Sequence, residues 1–71
     1  MSCEVRSPMP GKIVRIVKRV GDPVASGETI MIMEAMKMEM PVAAPAAGTI
    51  CDLPVEVEKA VAKDDILVVI D

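Results

Sequence analysis

Residues 8–25 read PMPGKIVRIVKRVGDPVA and residues 45–62 read PAAGTICDLPVEVEKAVA. Laid over each other at a gap-free offset of 37 positions, they match Pro8 with Pro45, Gly11 with Gly48, Ile13 with Ile50, Val20 with Val57, Val24 with Val61 and Ala25 with Ala62. Similar residues continue at the same spacing, Ile16 with Leu53, Ile30 with Leu67 and Ile32 with Val69. One offset sustained over most of both halves identifies an internal duplication.

Each copy carries the pattern of short strands broken by turns. Strands are predicted at 12–17 and 28–33, the latter alternating Ile30 and Ile32 against Met31 and Met33, with turn residues over 20–27. The second copy repeats this with strands at 49–53 and 65–70 and turn residues over 57–64. Gly21 beside Asp22-Pro23 and then Gly27 supply positive-φ candidates. A helix is excluded over most of the chain by Pro8, Pro10, Pro23, Pro41, Pro45 and Pro54, which interrupt nearly every window long enough to hold one. The stretch 30–40 escapes this rule, yet its counterpart, Leu67 to Ile70, is a run of strand formers, and duplicated segments should share one structure. Two copies of about four short strands, neither able to bury its apolar face alone, are expected to close as a small all-β, two-sheet sandwich with pseudo-twofold symmetry.

Seventy-one residues allow one small domain and no deep catalytic cleft. We read one domain over 1–71, with copy one at about 5–33, a connecting hairpin at 34–40 and copy two at about 42–70. The chain is 52% hydrophobic without any Phe, Tyr or Trp, so the core must be built from Val, Ile, Leu, Met and Ala. Lack of aromatics removes the stacking platforms of single-strand nucleic-acid binders. A formal charge of −3 gives no attraction to phosphate backbones or anionic membranes, and no apolar run reaches spanning length. Nucleic acid and membrane insertion are therefore not expected. Cys3 and Cys51, with no His in the chain, form neither a disulfide scaffold nor a metal site. Both are read as reduced thiols, and Cys51, opposite Val14 across the duplication, as core filler. No basic region leads into an apolar run at the N-terminus, so the cytoplasm is the expected compartment. Met1 lies only a few residues before the first expected strand, which favours a natural start.

Between the copies runs Glu34-Ala35-Met36-Lys37-Met38-Glu39, and Lys37 stands almost at the midpoint of the duplicated region. Symmetry puts it at the connection between copies, in a hairpin turn, exposed and remote from both termini. A lysine amine there is ordinarily a protonated ammonium, a poor nucleophile and a poor base, so chemistry requires something attached to it. An independent enzyme is disfavoured, since there is no His and no Ser or Cys paired with a base; catalytic residues are expected to be absent.

The Glu34-Ala35-Met36-Lys37-Met38 run, with Pro8 and Gly11 before it and Pro45 and Gly48 after it, resembles the biotinyl, or biotin carboxyl carrier, domain of the biotin/lipoyl attachment family. The likeness covers essentially the whole chain. It implies a flattened β-barrel of two four-stranded sheets, the barrel-sandwich hybrid, with the lysine at a tight turn and biotin joined to Lys37 through an amide. It also implies carriage: one enzyme site carboxylates a ureido nitrogen of biotin using bicarbonate and ATP, and a second transfers that carboxyl group to an acceptor, or releases it in decarboxylases. The implied partners are a biotin protein ligase and the biotin carboxylase and carboxyltransferase or decarboxylase subunits. Met36 and Met38 match the family's recognition pair, although methionines beside a turn could also cap the open end of the sandwich. Glu34 and Ala35 flank them as candidate ligase contacts. Met9, Met31, Met33 and Met40 are assigned to core or half-buried strand faces.

Equal spacing of Gly11 to Val20 and Gly48 to Val57 leaves no room for the thumb inserted in some carriers, so the chain resembles the thumbless type. It departs from the family where Glu58 and Asp64 stand at the positions equivalent to Gly21 and Gly27. Asp tolerates left-handed backbone, whereas Glu58 predicts an altered turn. Two other readings share the fold: a lipoyl-type acyl carrier, whose lysine is typically preceded by Asp and followed by a small residue, and an unmodified hairpin adaptor, which normally lacks the lysine.

Overall fold

Short runs of β-branched residues between turn residues become eight strands in the computed structural model, which describes residues 2–71. In chain order these are β1 (Cys3–Arg6), β2 (Gly11–Ile16), β3 (Pro23–Val24), β4 (Thr29–Ala35), β5 (Met38–Ala43), β6 (Gly48–Asp52), β7 (Ala60–Val61) and β8 (Ile66–Ile70). They form two antiparallel four-stranded sheets, ordered β1-β8-β6-β3 and β5-β4-β2-β7. The stretch 30–40 is extended, as the duplication requires. Pro23 and Pro41 both lie on edge strands, where a residue without an N–H leaves no ladder bond unmade.

The duplication is visible in the register. Cys3 stands opposite Ile70 on one sheet, and their equivalents, Met40 and Met33, face each other on the other. Ile13 opposite Met33 is repeated by Ile50 opposite Ile70, and Gly11 opposite Val61 by Gly48 opposite Val24. Neither copy makes a sheet by itself. β1 and β3 of the first copy flank β8 and β6 of the second, and β5 and β7 of the second flank β4 and β2 of the first. Closing the core therefore demands both copies at once.

The core is the aliphatic one that the composition requires: Ile13, Ile30, Met31, Met33, Ile50, Leu67 and Val68 are fully buried. Met9 and Met40 pack half-buried against it. The alternation expected over 30–33 is not strict, since Ile30, Met31 and Met33 are all buried and Ile32 is half-buried. The register between β4 and β5 shifts between Thr29 and Met31, and such a bulge places consecutive residues against the core. Cys51 corrects its sequence reading. It is exposed, next to buried Ile50: the register of β6 against β8 shifts between Ile50 and Asp52, and at this bulge both Cys51 and Asp52 face solvent. Cys3 is half-buried, and both thiols are free.

Candidate functional site

Only Met36 and Lys37 separate β4 from β5, and the register closes with Glu34 opposite Glu39 and Ala35 opposite Met38. A two-residue connection that follows the twist of its strands is a type I′ turn, which needs positive φ at both central positions. Met36 and Lys37 meet that need with φ of 53° and 64°. Neither is the glycine or asparagine that adopts this region at little cost, so the turn holds roughly 1 kcal/mol or more of strain per residue.

The result is presentation. Lys37 is exposed at the tip, between Met36 at 84% and Met38 at 65% exposure. Met36 at that exposure does not cap the sandwich, which leaves its side chain available to an external partner. Among the described residues no carboxylate forms a salt bridge with Lys37. Glu34 is exposed beside the turn, whereas Ala35 is buried at 4%. Of the flanking residues singled out in the sequence, Ala35 therefore packs and the other three face solvent.

Behind the hairpin, β2 runs against β4 with Lys12 opposite Glu34. A Cβ on Gly11 would come within 2.5 Å of the Glu34 carbonyl oxygen and 3.3 Å of the Ala35 side chain. Glycine at this position is what allows β2 to lie against the base of the lysine turn. Lys12 directs its ammonium toward Glu58, 3.3 Å away, so Glu34 and Glu39 face each other across the hairpin without its charge between them. Like charges directly opposite weaken a strand pair slightly, and here they give the hairpin an acidic flank.

Ser7 is a residue that periodicity alone does not single out. It is the one buried polar side chain among the described residues, at 1% exposure. Its hydroxyl donates to the Met9 carbonyl at 2.6 Å, and its main chain bonds to Asp64 and Asp65. These bonds fix the Pro8-Met9-Pro10 segment that leads into Gly11. The signal in the sequence is a small hydroxyl residue two positions before the Met9 carbonyl it satisfies, a local turn pattern common to serine.

An exposed primary amine on a two-residue turn, with a flexible four-carbon stem and no ion-pair partner among the described residues, suits acylation and carriage of the attached group.

Comparison with known proteins follows the same line. The family model described as "Biotin-requiring enzyme", that of biotin and lipoyl attachment, matches residues 3–70. The chain is 45% identical over 64 residues to the mitochondrial α subunit of methylcrotonoyl-CoA carboxylase from Dictyostelium discoideum, covering 90% of this chain and 9% of that one. It is 31% identical over 70 residues to a Mycobacterium leprae protein described as a homologue of a biotinylated protein, covering 99% of each. The crystal structure of Kluyveromyces lactis urea carboxylase superposes with a TM-score of 0.93 at 31% identity, over 100% of this chain and 6% of that one. The chain thus spans a small part of the two carboxylase chains it matches.

Proposed function

Because the chain belongs to the biotin/lipoyl attachment family, as a biotinyl domain of the carboxyl carrier type, we propose that Lys37 is its biotin attachment residue and that the domain shuttles a carboxyl group between two active sites of a biotin-dependent enzyme. The observation that carries this reading is the presentation of Lys37: second residue of a two-residue turn, positive φ, exposed, between two exposed methionines. The residues present fit the group, since an amide at Nζ projects into solvent and displaces no packed side chain.

Biotin, when bound, supplies the ureido nitrogen that takes up and gives back the carboxyl group. The chain supplies the rest. The Lys37 side chain gives reach, and the strained turn fixes where that reach begins. Gly11 and buried Ala35 hold the turn against the barrel, so the tethered end moves while its base does not. Tethering then raises the local concentration of the carried group at both sites without any new contact. The domain is a carrier rather than a catalyst, and the carboxylation and carboxyl-transfer or decarboxylation sites belong to its partner subunits or domains. A biotin protein ligase attaches the group, with Met36, Met38 and Glu34 the exposed side chains next to the acceptor amine.

Intact mass after co-expression with a biotin ligase, followed by peptide mapping, tests the reading. A gain of biotin less water on the Lys37 peptide, absent in a folded Lys37→Arg variant, is the expected result. Biotin taken up by Lys37→Arg would remove the site assignment. A lipoyl-sized gain would move the domain to acyl carriage, and no gain by the folded chain would leave a hairpin adaptor.

A further inference from the structure

Three residue pairs related by the duplication, Ile16 with Leu53, Arg19 with Glu56 and Val20 with Val57, line a single open groove of about 460 Å³ together with Val55. An opening lined by equivalent residues of both copies must straddle the pseudo-twofold axis. The same axis exchanges Glu34, at the base of the lysine hairpin, with Asp71 at the C-terminal end of the chain. The groove therefore lies midway between those ends, away from Lys37.

Its walls are apolar and uncovered. Val20 is 59% and Val57 48% exposed. Single exposed valines are ordinary on a monomer, but two at equivalent positions of one concavity, beside half-buried Ile16 and Leu53, mark a surface suited to contact. The charges at the rim say what. The groove repeats its shape under the pseudo-twofold and inverts its charge, because Arg19 has Glu56 as its equivalent. Both side chains lack an ion-pair partner among the described residues, so both charges remain available.

A surface that reverses its charge under a twofold is complementary to itself in charge. A second copy turned over about an axis lying in the surface, perpendicular to the line from Arg19 to Glu56, sets each Arg19 against the other copy's Glu56. It also brings the two sets of valines together over the groove. We propose that this face is a self-association surface, joining two copies in an isologous pair. The absence of aromatic anchors and the small size of the groove put the contact below the standard interface class, so the pair is weak and depends on concentration. Lys37 stays exposed in both copies, giving a carrier with two attachment residues. The proposal does not depend on what Lys37 carries.

Sedimentation equilibrium of the unmodified full chain, from about 10 μM to about 1 mM, suits a contact of this class. The average mass should rise from one copy toward two, and added salt should push it back. Arg19→Glu and Glu56→Arg, both at exposed positions, should each weaken the association about tenfold or more by setting like charges together at two symmetric contacts. An equimolar mixture of the two variants should restore it, since each then meets its opposite. A wild-type chain that stays a single copy at the highest concentration in low salt overturns the proposal. So does a mixture that associates no better than its separate components.

Discussion

Glu58 holds the left-handed backbone conformation of Gly21, the residue 37 positions before it, with φ of 75° against 94°. Each donates its amide to an isoleucine of the other copy, Glu58 to Ile13 at 2.6 Å and Gly21 to Ile50 at 2.8 Å. The return bonds match as well, Ile13 to the Lys59 carbonyl and Ile50 to the Asp22 carbonyl, both at 3.0 Å. Asp64 likewise follows Gly27, with φ of 71° and 84° and amide bonds to Ser7 and Ala44. The turn that Glu58 was expected to alter is unaltered, because paired cross-copy bonds enforce it against the side chain's preference.

Strain retained in this way can be relieved. Glu58→Gly removes a Cβ from a left-handed position, a gain reduced by the greater freedom of glycine in the unfolded chain. Its salt bridge with Lys12 joins two exposed side chains and contributes little. The expected net effect is a stabilisation of about 0.5–1 kcal/mol, read as a thermal midpoint raised by a few degrees. Gly21→Ala, the mirror change, should lower it by a similar amount. A Glu58→Gly variant that melts below the wild type would show that the side chain contributes more than its backbone costs.

Gly11 and Gly48 are equivalent, and both are closely approached. A Cβ at Gly48 would lie 2.6 Å from the Ile70 side chain and 2.7 Å from the Asp71 carbonyl oxygen, much as one at Gly11 meets the hairpin base. Either alanine variant should cost about 2 kcal/mol in a denaturant melt, through the backbone shift that overpacking forces. Only Gly11→Ala lies against the lysine turn. Biotinylation by a ligase should therefore slow in Gly11→Ala and stay at the wild-type rate in Gly48→Ala under conditions where both are folded. Equal slowing in both would mean that modification follows stability rather than the local fit of β2 against β4.

The architecture was legible because duplication adds a constraint that local propensity lacks. Residues 30–40 alone read as helix or strand, and only the partner run at 67–70 decided between them. The exposed position of Lys37 followed from the same symmetry. What the sequence did not show is where packing overrode residue type. Cys51 is apolar enough for the core, yet it sits at the register shift of β6 against β8 and faces solvent. Ala35 belongs to the motif around Lys37, yet its side chain is buried against Gly11. The exchange of β1 and β3 into the sheet of the second copy is a property of three-dimensional closure, and a list of strands carries no trace of it.

Glu28 ties the turn before β4 together by accepting the Ala25 amide at 2.9 Å, and it pairs with Lys18 at 2.9 Å. The Ala25 hydrogen bond first, then the bond to Lys18, holds its carboxyl below the usual glutamate range, and Glu28 in turn raises the Lys18 amine. A lowered carboxyl contributes stability above its unfolded pKa that is lost as pH falls through the folded value. A raised amine contributes below its unfolded pKa and loses that as pH rises through the folded value. Glu28→Gln should thus be less stable than the wild type near neutrality, with the gap closing under acid and narrowing in strong alkali. Urea midpoints across pH measure this, and a gap independent of pH would assign the effect to the hydrogen bond alone.

Ile30 and Leu67, equivalent and both fully buried, test whether the two copies fold as one unit. A carboxylate at either position has no partner and costs several kcal/mol, as much as a small domain has to lose. Ile30→Asp and Leu67→Asp should each abolish the cooperative transition seen by circular dichroism over the whole chain, because each sheet contains strands of both copies. Retention of a residual transition of about half amplitude would show that one copy stands alone, contrary to the interleaved sheets.

Met36 and Lys37 share the turn, and each has positive φ and an exposed side chain, so exchanging them leaves the fold and composition untouched. The two central positions of a type I′ turn nonetheless point their side chains in different directions. The double variant Met36→Lys with Lys37→Met keeps an exposed lysine next to a methionine but launches it from the first central position. If the ligase reads hairpin geometry, labelling should fall to background while the melting temperature stays at the wild-type value. Undiminished labelling at residue 36 would mean that exposure and neighbouring methionines suffice, and that the strain at Lys37 serves the carrier's reach rather than its recognition.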